Sequence, residues 1–170
     1  GRLDRLHVVE VDRDLAAALR RRFPEGHLVV HEADALEFDF GALPAPLRIV
    51  GNLPYNISTP ILFRIAQITD RVRDCVFMLQ REVAVRLAAA PGGGDYGVLA
   101  VQAALTADVR LLLDLPPGAF RPPPKVHSAV VRLDFHDPRP AVADPARFTA
   151  VVRGLFSQRR KTILNGLRHA

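Results

Sequence analysis

The sequence predicts an α/β protein built on a largely parallel sheet with helices on both faces. Three observations carry that prediction. Short β-branched runs alternate with helical stretches from Leu6 to Leu79, and such alternation favours parallel strands joined by helical crossovers. Apolar residues make up 49% and charged residues 24% of the 170-residue chain, which excludes wholesale disorder. Late in the chain, Val109–Leu115 and Ser128–Phe135 follow each other with a loop but no helix between them, which places antiparallel strands at one edge.

The elements follow in order. Leu6–Val11 is a β-rich run, and Asp12 behind it suits the cap of a helix from Arg13 to about Phe23. Leu15, Leu19 and Phe23 share one face of that helix, and Pro24 with Gly26 stops it. His27–His31 reads as a second strand, and Leu36–Pro46 as an irregular connection. Leu47–Val50 is a third strand, followed by Gly51, Asn52, Leu53, Pro54 and Tyr55. Thr59–Pro60 opens a helix with proline at its first position, running to about Ile68. Cys75–Leu79 is a fourth strand; a helix over Arg81–Ala89 is broken by the glycines after Pro91. Val98–Ala107 is helical and Val109–Leu115 extended. A proline-rich loop spans Pro116–Pro124. Ser128–Phe135 then alternates, with Val131, Leu133 and Phe135 on one face and Arg132 and Asp134 on the other. His136–Asp144 reads as a linker, and a basic helix starts near Pro145.

Composition narrows the function. No unbroken apolar run exceeds five residues, far short of the roughly 20 that a membrane-spanning helix needs. The first residues show no charged stretch followed by an apolar one, so no signal peptide is expected among them. The single cysteine, Cys75, forbids an internal disulfide and fits a reducing compartment, and no Cys/His spacing suits zinc. The net charge is +5, with 21 of the 23 basic residues arginine. Residues 145–170 hold six of the basic residues and no acidic one; the first 144 carry 17 basic against 18 acidic residues. A near-neutral body with a basic tail suggests a polyanion such as nucleic acid, or simply a solvated basic helix.

In parallel α/β sheets, ligands bind beyond the carboxyl ends of the strands. Glu10, Asp12, Asp34 and Asn52 fall there. A carboxylate at Glu10 can accept the hydroxyls of a ribose, and one at Asp34 the exocyclic amine of a base. Taken alone, Glu10 reads first as a solvated strand-end acid or helix cap and Asp34 as a turn residue before Ala35 and Leu36. The run Asn52-Leu53-Pro54-Tyr55 is sharper. An amine conjugated with a ring is a poor nucleophile because its lone pair is delocalised. Two acceptors aimed at its hydrogens localise that pair. The Asn52 side-chain oxygen is one, and the Leu53 carbonyl, restricted by Pro54, is the other. Tyr55 offers a stacking face. A tight turn with a core tyrosine is the plainer alternative. In the loop from Phe120 to Val126, three successive prolines preset the backbone. Phe120 there suits the far side of an aromatic sandwich around a flipped base, and Arg121 and Lys125 suit phosphates, while a polyproline connector with Phe120 in the core is the plainer alternative. Arg159, Arg160 and Lys161 form three consecutive cations expected on the basic helix.

Six stretches together resemble the ribosomal RNA adenine dimethyltransferases, most closely the bacterial small-subunit enzymes. They are Val8–Asp12 (VVEVD), Glu32–Leu36 (EADAL), Val50–Pro60 (VGNLPYNISTP), Phe77–Val83 (FMLQREV), Phe120–Val131 (FRPPPKVHSAVV) and Phe156–Thr162 (FSQRRKT). They keep the family's order and cover nearly the whole chain. The resemblance implies a Rossmann-like class I methyltransferase sheet that uses S-adenosylmethionine. It also implies a division into a methyltransferase domain over 1–136, a linker over 137–144 and the start of a basic helical C-terminal domain over 145–170. The family's first strand, its Gly-rich turn and most of its C-terminal domain are expected to lie outside these residues. Glu10, Val11, Asp34, Ala35 and Asn52 match cofactor-binding positions. Asn52, Leu53, Pro54, Tyr55 and Phe120 match the catalytic and base-stacking positions. Arg121, Lys125, Arg159, Arg160 and Lys161 are the expected RNA contacts. The implied activity is N6,N6-dimethylation of two adjacent adenines in small-subunit rRNA, by a cytoplasmic monomer acting on the small ribosomal subunit without metal or membrane. The alternatives are the large-subunit enzyme type that confers macrolide resistance, and a non-catalytic RNA-binding or ribosome-assembly module.

Overall fold

In the computed structural model, residues 5–23, 26–157 and 161–167 are described. The chain divides into two compact units, 1–43 and 44–170.

The first unit is a strand–helix–strand crossover. Strand β1 (Leu6–Glu10) pairs in parallel with β2 (Leu28–Glu32), in register from Leu6 opposite Leu28 to Glu10 opposite Glu32. Helix α1 (Arg13–Arg22) joins them. Asp12 caps it, accepting from the Asp14 and Leu15 amides at 2.9 and 3.0 Å. Asp14 in the first turn and Arg20, Arg21 and Arg22 in the last complement the helix dipole. The expected Leu15–Leu19–Phe23 stripe is not what this unit buries. Ala16 is fully buried, whereas Leu15 and Phe23 are about half exposed. Two strands give too narrow a surface to cover a leucine stripe, and only the small residue facing them is enclosed. On the strands, the His7 and His31 rings stack 5.2 Å apart, and Phe38 tilts against His31.

The second unit is built on a four-stranded mixed sheet in the order β3-β4-β6-β5. Strand β3 (Leu47–Asn52) leads through α2 (Ser58–Ile65) to the parallel β4 (Val72–Gln80). Helices α3 (Arg81–Leu87) and α4 (Val98–Thr106) precede β5 (Ala107–Leu115), and β6 (Ser128–Phe135) lies antiparallel between β4 and β5. The expected antiparallel edge is therefore present. The parallel ladders, however, are divided between two sheets, because no ladder joins the β1–β2 pair to β3 among the described residues.

The central strands carry the core. Phe77 and Leu79 on β4, Val131 on β6 and Ile65 on α2 are at most 1% exposed. Cys75 is buried among them, and burial holds its thiol well above the ordinary range, which leaves it an inert packing residue. Helix α2 begins one residue before the expected Thr59 and ends at Ile65, short of the expected Ile68. Its last turn tightens: the Gln67 and Ile68 amides donate to Arg64 and Ile65, three residues back, and the α pattern stops.

A ladder of charge crosses the sheet. Arg48 on β3 donates to Asp74 on β4 at 2.9 Å. Arg132 on β6 donates to Asp74 at 3.1 Å and to Asp134 at 2.6 Å, and Arg110 on β5 reaches Asp134 at 2.5 Å. Hydrogen bonds from Arg132 first, and then Arg110, hold the Asp134 carboxyl below its ordinary value. A carboxyl whose folded pKa is depressed stabilises the fold above its unfolded value, about 3.9. That contribution is lost as pH falls through the lower folded value. Asp134→Asn is therefore expected to flatten the acid limb of stability below about pH 4, read by denaturant unfolding across pH 2–6.

The basic tail is not one helix. Helix α5 (Pro145–Ser157) is capped by Asp144, which accepts from the Arg147 amide at 2.9 Å. A separate short helix, α6 (Ile163–Leu167), follows. Lys161 lies in the bend before α6, so its expected helical placement is wrong; Arg159 and Arg160 lie outside the described residues. The local cause is at Thr162, which takes the Asn165 amide on its side-chain oxygen and the Gly166 amide on its carbonyl, starting a new helix. A Cβ at Gly166 would sit 2.9 Å from Leu155 Cδ2, so a larger residue there would push the Leu155 side chain aside where α6 meets α5.

Candidate active site at the strand ends

Each unit presents polar groups at the carboxyl ends of its parallel strands. In the first, the half-buried Glu10 ends β1, and its Oε1 accepts the Asp12 amide at 2.9 Å. Asp34 lies two residues past β2, and its Oδ1 accepts the Leu36 amide at 2.8 Å. The Ala33 amide donates to the Glu10 carbonyl at 3.1 Å, tying the two strand ends together. Asp12 is a helix cap and Asp34 a turn-former, as the plainer readings had it. Neither local role occupies the second oxygen of Glu10 or of Asp34 in a described hydrogen bond. Val11 is 69% exposed beside Glu10, and Ala35 is half-buried beside Asp34.

In the second unit, three chain segments meet at one end of the sheet. Asn52, exposed, is the last residue of β3 and pairs in register with Met78. Gln80 and Leu115, at the ends of β4 and β5, both pair with Ser128 at the start of β6. The turn Asn52–Tyr55 and the loop 116–127 therefore leave the sheet from the same end.

The turn is pinned at every residue after Asn52. The Leu53 amide donates to the Met78 carbonyl at 3.2 Å, and the Pro54 carbonyl accepts from the Ile57 amide at 3.1 Å and the Ser58 hydroxyl at 3.0 Å. The Tyr55 and Ser128 hydroxyls share a hydrogen bond of 2.8 Å. A Cβ on Gly51 would stand 2.9 Å from Leu53 Cδ2, so glycine is what lets the Leu53 side chain fold back across the strand. This arrangement fixes the Leu53–Pro54 peptide and leaves the Asn52 side chain at an exposed strand end.

The loop is anchored at its stem. Arg81, at the start of α3, pairs with Asp114 at 2.6 Å and donates its amide to the His127 carbonyl at 2.9 Å; His127 Nδ1 lies 3.5 Å from Asp114. Hydrogen bonding by Arg81 first, then by His127, holds the Asp114 carboxyl below its ordinary value. Further out, a 3-10 turn over Pro117–Ala119 ends on Phe120, whose amide donates to the Pro117 carbonyl at 3.1 Å. Phe120 is half-buried, and Arg121 and Lys125 are exposed.

Sequence reasoning did not single out Ser58, Ser128, Arg81, Asp114 or His127. The serines carried one readable signal: each sits at the first position of its element. The ion pair at the stem joins residues 33 apart and left no local trace. A cleft of about 450 Å³ between α2, α3, α4 and α5, lined by Thr59, Phe63, Val83, Arg86, Asp95 and Phe156 among others, was also not expected.

The model of the family described as ribosomal RNA adenine dimethylase matches residues 1–170. The chain belongs to this family. It is 54% identical over 171 residues to a protein of Aromatoleum aromaticum named ribosomal RNA small subunit methyltransferase A, covering 98% of this chain and 63% of that protein. A protein of the same name from Laribacter hongkongensis is 54% identical over 169 residues, covering 98% and 64%. The chain thus spans somewhat less than two thirds of the length of these relatives. Among solved structures it is similar to a dimethyladenosine transferase from Plasmodium falciparum (TM-score 0.83, 25% identity, 96% of this chain and 59% of that one). It is also similar to the 23S rRNA methyltransferase ErmE (TM-score 0.77, 25% identity, 96% and 66%). The fold is accordingly the Rossmann-like fold of this dimethylase family. Among the described residues, no helix is long and apolar enough to cross a membrane, and no group of three His, Cys, Asp or Glu residues could hold a metal.

Proposed function

We propose that the protein containing this chain transfers methyl groups from S-adenosylmethionine to the N6 amines of two adjacent adenines in small-subunit rRNA. The observation that carries the reading is the pinned Asn52–Tyr55 turn, standing at the strand ends of a chain that belongs to an rRNA adenine dimethylase family. The names of its 54%-identical relatives favour the small subunit over the large.

The residues present fit the nucleoside half of the cofactor. Glu10 ends β1 and Asp34 lies two residues past the adjacent β2, each with one carboxylate oxygen outside any described hydrogen bond. They are acceptors for ribose hydroxyls and for the adenine amine respectively, with Val11 and Ala35 flanking them. When bound, the cofactor supplies a methyl carbon activated by its sulfonium. The chain does the rest by positioning. Asn52 Oδ1 and the Leu53 carbonyl accept the two hydrogens of the target amine, which draws the N6 lone pair out of conjugation. With a methyl donor bound, the freed pair would take the methyl carbon in place of its bond to sulfur, and the amine proton would pass to water. Tyr55 and Phe120 hold the flipped base between their rings. Proximity and fixed dipoles carry this step, with no strong base required.

Arg121 and Lys125, with Arg159, Arg160 and Lys161, are the phosphate contacts, and the site of action is the small ribosomal subunit in the cytoplasm. The 145–170 segment begins the RNA-gripping helical part, the linker over 137–144 preceding it. The test uses the protein at its full natural length, small-subunit particles lacking the methyl groups, and labelled cofactor. Dimethyladenosine at two adjacent positions is expected. Labelling of naked large-subunit RNA instead would favour the macrolide-resistance type, and RNA binding with no transfer the assembly-module reading. Converting Arg159, Arg160 and Lys161 together to glutamine is expected to reduce the salt slope of RNA binding by about 2, at about 0.7 per single-strand phosphate contact. An unchanged slope would mean that these cations are merely solvated.

A further inference from the structure

We infer that Ser128 is a positioning residue: it fixes where the Tyr55 ring points and locks the Asn52–Tyr55 turn to the stem of the loop that carries Phe120. This rests on the base site proposed above and names what holds that site in shape.

Ser128 is 1% exposed, and Tyr55 is its side-chain partner at 2.8 Å. A hydroxyl buried that deeply is costly unless hydrogen-bonded, and alanine would fill the space of a purely packing residue without that demand. The partner's identity makes the arrangement informative. Tyr55 is anchored at the far end of its ring, so the hydrogen bond restrains the swing of the ring rather than its backbone. Ser128 is itself held on both sides, pairing with Gln80 on β4 and with Leu115 on β5. Leu115 is the last strand residue before the loop, and His127, next to Ser128, is gripped through its carbonyl by the Arg81 amide. One side chain thus joins the two walls between which the base is proposed to stack. A second buried serine works on the same turn from the other side: Ser58, fully buried, donates to the Pro54 carbonyl at 3.0 Å. The turn is therefore held at Leu53, Pro54 and Tyr55 by three different elements, leaving Asn52 aimed from a rigid base.

The tests remove the hydrogen bond from either end, in the full-length protein, with Ser128→Ala and Tyr55→Phe. Each is a loss of one oxygen and preserves the packing. Each is expected to lower kcat about 10-fold with KM for the particle within about twofold, because the rings, not the phosphate grip, are loosened. The double variant is expected to lose about 10-fold as well, rather than 100-fold, since both changes break one interaction. The ratio of monomethyl to dimethyl product is expected to rise, because the second transfer must hold a bulkier amine. A kcat unchanged in both variants, losses that multiply, or a change confined to KM would overturn the inference. Should the unaltered protein transfer no methyl groups, the proposed function fails on its own. The positioning role is then read from NMR of labelled tyrosine: the order parameter of the Tyr55 ring is expected to fall in Ser128→Ala, and an unchanged value would overturn it.

Discussion

Asn52→Ala is expected to lower methyl transfer by about 10²–10³-fold, the loss typical of removing one preorganised polar group from a reacting centre. The change removes an acceptor from an exposed strand end, where no described core contact depends on it. Stability and RNA affinity should therefore stay close to those of the unaltered protein. The Leu53 carbonyl remains in place, because the Leu53 amide stays bound to the Met78 carbonyl and the Pro54 ring restricts the peptide that follows. Some residual transfer should survive on that single acceptor. Single-turnover rates with saturating RNA and cofactor separate this from a binding defect. Transfer at the full rate would rule out the two-acceptor mechanism.

Asp74→Ala is expected to cost about 3 kcal/mol of stability, at the low end for breaking a buried ion pair. Asp74 has a side-chain exposure of only 3% and serves two arginines. Removing it leaves Arg48 without a described counter-ion and Arg132 with Asp134 alone, two like charges facing each other across the centre of the sheet. The low end applies because Arg48 is about half exposed and can turn to water. The converse substitution, Arg48→Met, should cost less than about 1 kcal/mol, because Arg132 still holds the buried carboxylate and the lost pair is half in solvent. Denaturant unfolding of both variants checks the asymmetry. Equal costs would mean that the ladder acts as a surface network rather than as a buried carboxylate with two donors.

The parts of the fold legible in the sequence were those with strong local signals. The Asp12 cap, the proline-rich loop and the alternation of Ser128–Phe135 each declare themselves within a few residues. The parts that were not legible depend on distant partners. Buried Asp74 sits in a strand that reads as apolar and is satisfied by Arg48 and Arg132, 26 and 58 residues away. The end of α2 reflects a drift into three-residue hydrogen bonds that no proline or glycine announces. Lys161 followed the charge pattern onto a helix, although Thr162 starts a new one. At the candidate site, Asn52, Tyr55 and Phe120 could be read from the motif. Ser128 could not, because its meaning lies in a contact spanning 73 positions.

The loop between β5 and β6 has a kinetic consequence. Pro122, Pro123 and Pro124 preset their own φ angles, the 3-10 turn shapes the approach to Phe120, and the Arg81–Asp114 pair clasps the stem. Such a segment has little conformational freedom left to lose. Capture of an unstacked base would then not wait on the microsecond-to-millisecond lid motions that gate many active sites. The time a base spends in the site would be set by how readily RNA releases and retrieves it. The pace of the reaction would belong to the substrate's motion, with the protein as the still partner.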